Sequence, residues 1–184
     1  MSMHNDIEEI FFSKEQLEEI VAKIGAQISE DFKDKNLLLV SVLKGSIVFM
    51  SDLMRHITIP CKIDFITASS YHEKTVPDNE VMISKDLTIK DVTGYDILVV
   101  EDIFDTGRTL QRLSDFLMKK GAASITLCTL LDKPDRRDPS VTIKPKYIGA
   151  KVKNEFVVGY GLDYDQKYRN LPFIGILKSE IYTK

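Results

Sequence analysis

The sequence predicts an α/β protein with a central, mostly parallel sheet flanked by helices on both faces. Three observations carry that expectation. The apolar runs "LLLVSVL", "ILVVED" and "SITLCTLLD" are too continuous for half-exposed strands and too short for helices. Segments with helical spacing separate them, which is the pattern of strands joined by crossovers. At 184 residues the chain can bury one good core but not two typical ones, so a single domain over 1–184 is expected.

The elements run in this order. Ser13 with Gln16 three residues on is a capping box, and Leu17, Ile20, Val21, Ile24, Ile28 and Phe32 keep a helical period to about residue 33. "LLLVSVL" is a strand buried on both faces, and after Lys44-Gly45 the segment "SIVFMSDLMRHI" returns to helical spacing. "KIDFITASS" and "ILVVED" are the next strands. Leu110, Leu113, Phe116 and Leu117 then mark one helix face, with Lys119 and Lys120 suited to its C-terminal dipole and Gly121 to its C′ position. "SITLCTLLD" and the shorter pieces "YIGAKV", "FVVGYG" and "PFIGIL" complete the strands. Residues 69–85, "SSYHEKTVPDNEVMISK", form a long polar stretch without periodicity, either a floppy excursion or a mobile lid, and the lid is favoured because the loop leaves the same sheet rim.

Composition removes several function classes. A net charge of −3 and a pI near 5.7 argue against nonspecific nucleic-acid binding. No apolar run approaches the roughly 20 residues that cross a bilayer, and the acidic N-terminus lacks the order of a signal peptide. The cytoplasm is the expected compartment. Cys61 and Cys128 sit in apolar stretches and are expected to be buried, reduced thiols. His4, His56 and His72 are far apart, so a zinc site or a Ser-His-Asp hydrolase has no support.

In parallel sheets ligands bind at the carboxyl ends of strands. Leu43-Lys44-Gly45, Glu101 to Thr109 and Asp132-Lys133 all lie at such ends. The richest is "ILVVEDIFDTGRTL", where a buried strand delivers Glu101, Asp102 and Asp105 to a glycine turn. Gly107 tolerates positive φ, Thr106 and Thr109 offer hydroxyls, and the free amides of a helix start suit a phosphate. Two adjacent carboxylates would repel that phosphate unless they are used, and they can accept from sugar hydroxyls or hold magnesium. A ribose phosphate answers both halves; an ordinary acidic strand-to-helix loop answers neither but is common. There is no G-x-x-x-x-G-K-[ST] loop.

A hydrophobic strand followed by "EDIFDTGRT" resembles the phosphoribosyl-diphosphate motif of type I phosphoribosyltransferases. The likeness runs from about residue 7 to the end. "VLKGS", "SSY", "LLDKPDRR" and "FVVGYGLDYDQKYRNLPFIGIL" are similar, in this order, to the 6-oxopurine (hypoxanthine-guanine) branch. The resemblance implies the type I phosphoribosyltransferase fold, with a small hood formed by the N- and C-terminal segments. It implies a purine salvage transferase that moves phosphoribosyl from 5-phosphoribose 1-diphosphate to N9 of hypoxanthine or guanine, giving IMP or GMP and diphosphate. Mg2+ is the implied cofactor, and a homodimer or homotetramer the implied assembly.

By the same resemblance, Asp105 is the general base at purine N7. Asp105-Thr106-Gly107-Arg108-Thr109 cradle the 5′-phosphate, while Glu101 and Asp102 meet the ribose hydroxyls, partly through magnesium. Asp163 assists the metal. Lys133 donates to the exocyclic O6, Phe156 stacks on the base, and the Val157 backbone bonds its edge. Arg169, Lys44 and Gly45 bind diphosphate, the Leu43-Lys44 peptide is often cis in the family, and Ser70-Tyr71 belong to the lid. Three positions depart from the family pattern: no glycine follows Tyr71, Arg108 replaces a frequent lysine, and Ser46 replaces a glycine of some members. A rival class is a regulator that keeps the fold, and it predicts a basic face or an added DNA-binding segment. Nothing in the sequence ranks hypoxanthine, guanine and xanthine.

Overall fold

The computed structural model describes residues 3–69 and 82–183. The strands are β1 (Ile7–Phe12), β2 (Leu37–Val42), β3 (Cys61–Ser69), β4 (Met82–Lys85), β5 (Asp96–Phe104), β6 (Ser124–Asp132), β7 (Tyr147–Lys151), β8 (Val157–Val158) and β9 (Ile174–Leu177). The helices are α1 (Lys14–Asp31), α2 (Ile47–His56), α3 (Arg108–Lys119) and the four-residue α4 (Ser179–Tyr182).

Six strands form the main sheet in the order β4-β3-β2-β5-β6-β7. All its pairings are parallel except β3 with β4. Every residue of β2 is buried, as a strand covered on both faces must be. On one face Leu39, Leu98 and Val100 pack with Leu17, Val21, Ile24 and Ile28 of α1 and with Phe49, Met50 and Leu53 of α2. On the other, Leu38, Val40, Ile97 and Val99 pack with Leu110, Leu113 and Leu117 of α3. Each such side chain taken from water contributes on the order of 1.5–3 kcal/mol. A second, antiparallel sheet, β1-β9-β8, joins the two ends of the chain.

Local sequence signals account for most boundaries. Ser13 caps α1 with the full reciprocal box to Gln16. Gly121 takes a φ of +97° just beyond α3, with Gly121 N bonded to Met118 O and Ala122 N to Leu117 O. β1 and β4 carry no readable period and are not expected from the sequence. Each is a short, edge-type strand whose identity comes from its partner, β9 or β3. Met82–Lys85 therefore corrects the reading of 69–85 as one aperiodic loop, since its C-terminal end is a strand. Ser70, Tyr71 and the rest of the expected lid lie outside the described residues. Cys128 is buried as expected, whereas Cys61, at the outer start of β3, is only partly so; both thiols are free. No helix among the described residues is long and apolar enough to cross a membrane.

The seating of α2 positions the rim of the sheet, because its N-terminus carries the Lys44-Gly45 loop. Its C-terminal end rests on Gly25 of α1, where an added Cβ would fall 2.5 Å from His56 Cβ and 2.9 Å from the His56 carbonyl. Ser29 strengthens the crossing by donating to Gly25 O at 2.8 Å and accepting from Thr58 N at 3.0 Å. Gly25→Ala should gain up to about 1 kcal/mol in helix propensity. Overpacking against backbone costs about 1–3 kcal/mol and outweighs that gain. We expect a lower urea midpoint for this variant; an equal or higher one would show that the crossing relaxes freely.

Candidate active site

Parallel strands turn their carboxyl ends to one rim, and three loops meet there. The alternation of β5 breaks at the acids. Ile97 and Val99 belong to the α3 side, yet so does Phe104, so the parity of the strand changes between Glu101 and Phe104. β5 also runs two residues further than "ILVVED", so Glu101, paired with Thr129 of β6, and Asp102 stand inside the strand rather than at its last position.

Burial at the strand end defines their chemistry. Glu101 Oε2 is buried with no hydrogen-bond partner among the described residues, and burial, then the neighbouring Asp102, holds this carboxyl well above its ordinary range. Asp102 is pushed up to about 6, chiefly by burial, against the opposing pull of Ile103 N, which donates to Oδ1 at 2.7 Å, and of Arg169. Gly45 lies directly over Asp102. A Cβ on Gly45 would sit 1.6 Å from Asp102 Oδ2, so a glycine here is a condition of the packing. Gly161, at φ +101°, covers Gly45 in turn, where a Cβ would meet Gly45 O at 2.1 Å.

Two side networks hold this stack. The Ser46 hydroxyl, fully buried, meets Ser41 Oγ at 2.7 Å and donates to Val42 O, pinning the loop between them. Ser46 thereby ties the start of α2 to β2. The Leu43-Lys44 peptide is cis. Arg169 Nη1 donates to Gly161 O at 2.8 Å, and its Nη2 lies 2.8 Å from Asp163 Oδ1. Gln166 Oε1 accepts from Lys44 Nζ at 3.3 Å and Arg169 Nη2 at 3.4 Å. Lys44, Gly45, Asp102, Asp163 and Arg169 are thus brought together. Arg169 also borders a cavity of about 490 Å³ walled by α1 and α2, which none of the residues 101–109 lines.

The turn before α3 has the form expected of an anion cradle. Gly107 is the N-cap at φ +81°, and a Cβ there would lie 2.9 Å from Val141 Cγ1 and 3.0 Å from the Phe104 ring. With no side chain at the cap there is no side-chain cap hydrogen bond among the described residues, and Arg108 N makes only a 3.5 Å contact with Thr106 Oγ1, so the first turn is left open to an anion. The Arg108 guanidinium is turned away, paired to Asp138. Asp138 is held near 2 by Ser140 and Arg108, and its amide donates to Thr106 O at 3.1 Å.

The third group gathers Asp105, Lys133 and the strand before β8. Lys133 Nζ donates to Glu155 O at 2.7 Å, one residue from Phe156. Burial, opposed by Asp105, lowers the Lys133 ammonium from its ordinary value. Phe156 is 37% exposed, and Val157 is buried and paired with Ile176. Arg136 Nε lies 2.7 Å from Asp105 Oδ1, an ion pair whose angle falls outside hydrogen-bond alignment. Arg137 donates to Asp105 O at 2.8 Å and to Asp132, with its guanidinium 3.4 Å above the Phe104 ring. The charged run "DRRD" after β6 was the sequence signal for these contacts. Gln166 and Gly161 had none.

Among the described residues no three carboxylate, histidine or cysteine side chains already converge on a cation site. Asp163 is paired with Arg169.

Comparison with known proteins places the chain in a family. Residues 9–165 match the model of the phosphoribosyl transferase domain. A Staphylococcus epidermidis hypoxanthine-guanine phosphoribosyltransferase is 46% identical over 182 residues, 99% of this chain and 100% of that one. The bifunctional protein TilS/HprT of Listeria innocua is 48% identical over the whole of this chain, which spans 28% of that protein. The crystal structure of a Staphylococcus aureus hypoxanthine phosphoribosyltransferase superposes with a TM-score of 0.92 at 46% identity, covering 99% of this chain and 97% of that one.

The buried acids oppose folding, and the sign can be measured. Asp102 ionises at 3.8 in the unfolded chain and about 6 in the fold, so the fold binds its proton more tightly. Stability from this group is complete below pH 4 and is lost as pH rises through about 6. Asp102→Asn keeps an acceptor for Ile103 N and removes the charge. In chelator it should be more stable than the native protein at pH 7.5, by about 1–3 kcal/mol, and not at pH 4. Equal urea midpoints at both pH values would refute this.

Proposed function

The chain belongs to the phosphoribosyl transferase family, and on that premise we propose that its rim joins a 6-oxopurine to phosphoribose. It is a glycosyl-transferring enzyme of purine salvage, with hypoxanthine and guanine as acceptors, phosphoribosyl diphosphate as donor, and IMP or GMP and diphosphate as products. The observation that carries this reading is the buried, unpartnered Glu101 Oε2 beside Asp102 and a few residues from an anion-ready helix start. A ribose phosphate supplies donors to the first and an anion to the second.

In this reading Thr106, Gly107, Arg108 and Thr109 hold the 5′-phosphate, Arg108 through its amide, and Glu101 and Asp102 hold the ribose hydroxyls. Lys44, Gly45 and Arg169 hold the diphosphate. Lys133 donates to O6, Phe156 stacks on the base, Val157 bonds its edge, and the small sheet of chain termini forms the hood above them. The C1–diphosphate bond breaks with its electron pair leaving on diphosphate, N9 bonds to C1 with inversion, and Asp105 takes the proton from N7. Ser70 and Tyr71 belong to the covering lid. The working form is a cytoplasmic homodimer or homotetramer.

The acidic end of β5 suits Mg2+, because an orphaned carboxylate oxygen and a second carboxyl raised by burial both gain from a cation. Glu101 and Asp102 would hold it, with Asp163 acting through water. When bound, the ion supplies positive charge to the leaving diphosphate. The regulator class finds no support on the rim, where Lys133 feels the charge of Asp105 and donates to Glu155 O, next to Phe156 in the chain.

Two variants test the reading. Asp105→Asn keeps size and polarity but cannot take a proton. Turnover with hypoxanthine should fall by roughly 10²–10⁴-fold while calorimetric binding of phosphoribosyl diphosphate stays within a few-fold. A chemical step slowed less than about fivefold would return Asp105 to a capping role, given that 10²-fold floor. Lys133→Ala should lose about 1.5–3 kcal/mol of transition-state stabilisation with 6-oxopurines, and with it the preference over 6-aminopurines. Unchanged hypoxanthine kinetics would remove Lys133 from the site.

A further inference from the structure

We propose that Tyr182 is a positioning residue for the purine: its ring backs Phe156 and leaves one face of that ring for the base. The proposal rests on the reading of Phe156 as the stacking platform. Phe156 precedes the two-residue strand β8, and Leu177 N donates to its carbonyl at 2.9 Å. That bond holds the backbone and leaves the ring free to tilt.

Two tyrosines restrain the ring. Tyr182 lies against it with 4.8 Å between centroids and 21° between planes, the parallel arrangement of a stacked pair. Tyr164 meets it edge-on, at 5.6 Å and 88°. Both pack against the small-sheet cluster of Val158, Tyr168, Leu171, Phe173 and Leu177, as does Ile181 beside Tyr182. The tilt of the platform is therefore set by the small sheet, whereas the phosphate turn is set by the large one.

A phenyl ring has two stacking faces. With Tyr182 on one, a planar base has the other, and it meets a ring already fixed in orientation. Losing a stacked aromatic pair weakens association by about two- to tenfold. The effect should fall on the base alone, because Tyr182 packs on Phe156 and the small-sheet cluster, which includes neither the turn at 105–109 nor Lys44, Gly45 or Arg169.

Steady-state kinetics on the full chain, varying each substrate separately, tests this with Tyr182→Ala, Tyr182→Leu and Tyr182→Phe, and with Phe156→Ala as reference. Thermal melts confirm that each variant is folded. We expect Tyr182→Ala to raise KM for hypoxanthine two- to tenfold, with kcat and KM for phosphoribosyl diphosphate within about twofold, as befits a group that acts on binding of one substrate. Tyr182→Leu should behave like Ala, since it restores bulk without a ring, and Tyr182→Phe should restore the native KM. An unchanged hypoxanthine KM in Tyr182→Ala or Tyr182→Leu overturns the proposal. A lowered KM also overturns it, and shows Tyr182 occupying the face the base needs. If Phe156→Ala leaves the hypoxanthine KM unchanged, the platform reading itself fails; if it raises KM while Tyr182→Ala does not, only the backing role fails.

Discussion

The contact between Gly45 and the Asp102 carboxylate governs this rim. A charge-bearing side chain at the end of a buried strand faces the backbone of a loop so closely that no Cβ fits between them. The consequences spread outward from there. α2 must be seated so that its leading loop reaches Asp102, which is why its far end rests on a glycine of α1. Gly161 must cover the loop from above, and Arg169 ties that cover down through Gly161 O and Asp163. Loop, strand end and cover form one stack, and each layer depends on the absence of a side chain in the next.

Such a stack is held against an electrostatic cost. Burial disfavours the charged forms of both Glu101 and Asp102, and Glu101 Oε2 has no compensating donor. The cores on the two faces of the sheet supply the stability that makes this arrangement tolerable. Buried carboxyls without compensating partners make this strand end a local weakness in the fold.

The two sheets divide the work. The large sheet carries the acids, the Gly107 turn and Lys133 on rigid strand ends. The small sheet of chain termini carries Phe156 and the tyrosines around it. Lys133, bonded to Glu155 O, is the bridge between them. Arg137 fixes the β6 side of that bridge by joining Asp132 to the Asp105 carbonyl over Phe104.

The sequence by itself determined what depends on neighbours in the chain: the capped span of α1, the fully buried β2, the C′ glycine of α3, and an acidic strand end running into a glycine turn. Those signals are legible because capping, periodicity and φ preference act over three or four residues. Tertiary structure decided the rest. β1 and β4 are strands because a partner edge lies beside them, and their own residues show no alternation strong enough to say so. Gln166 reaches Lys44 from 122 residues away, and Asp138 reaches Arg108 from 30. Arg136 on Asp105 and Tyr182 on Phe156 are likewise brought in from separate elements. The raised carboxyls of Glu101 and Asp102 come from burial, a property of the packed molecule that no local window contains. Sequence states which groups are available; the fold decides which of them lose water and which face each other.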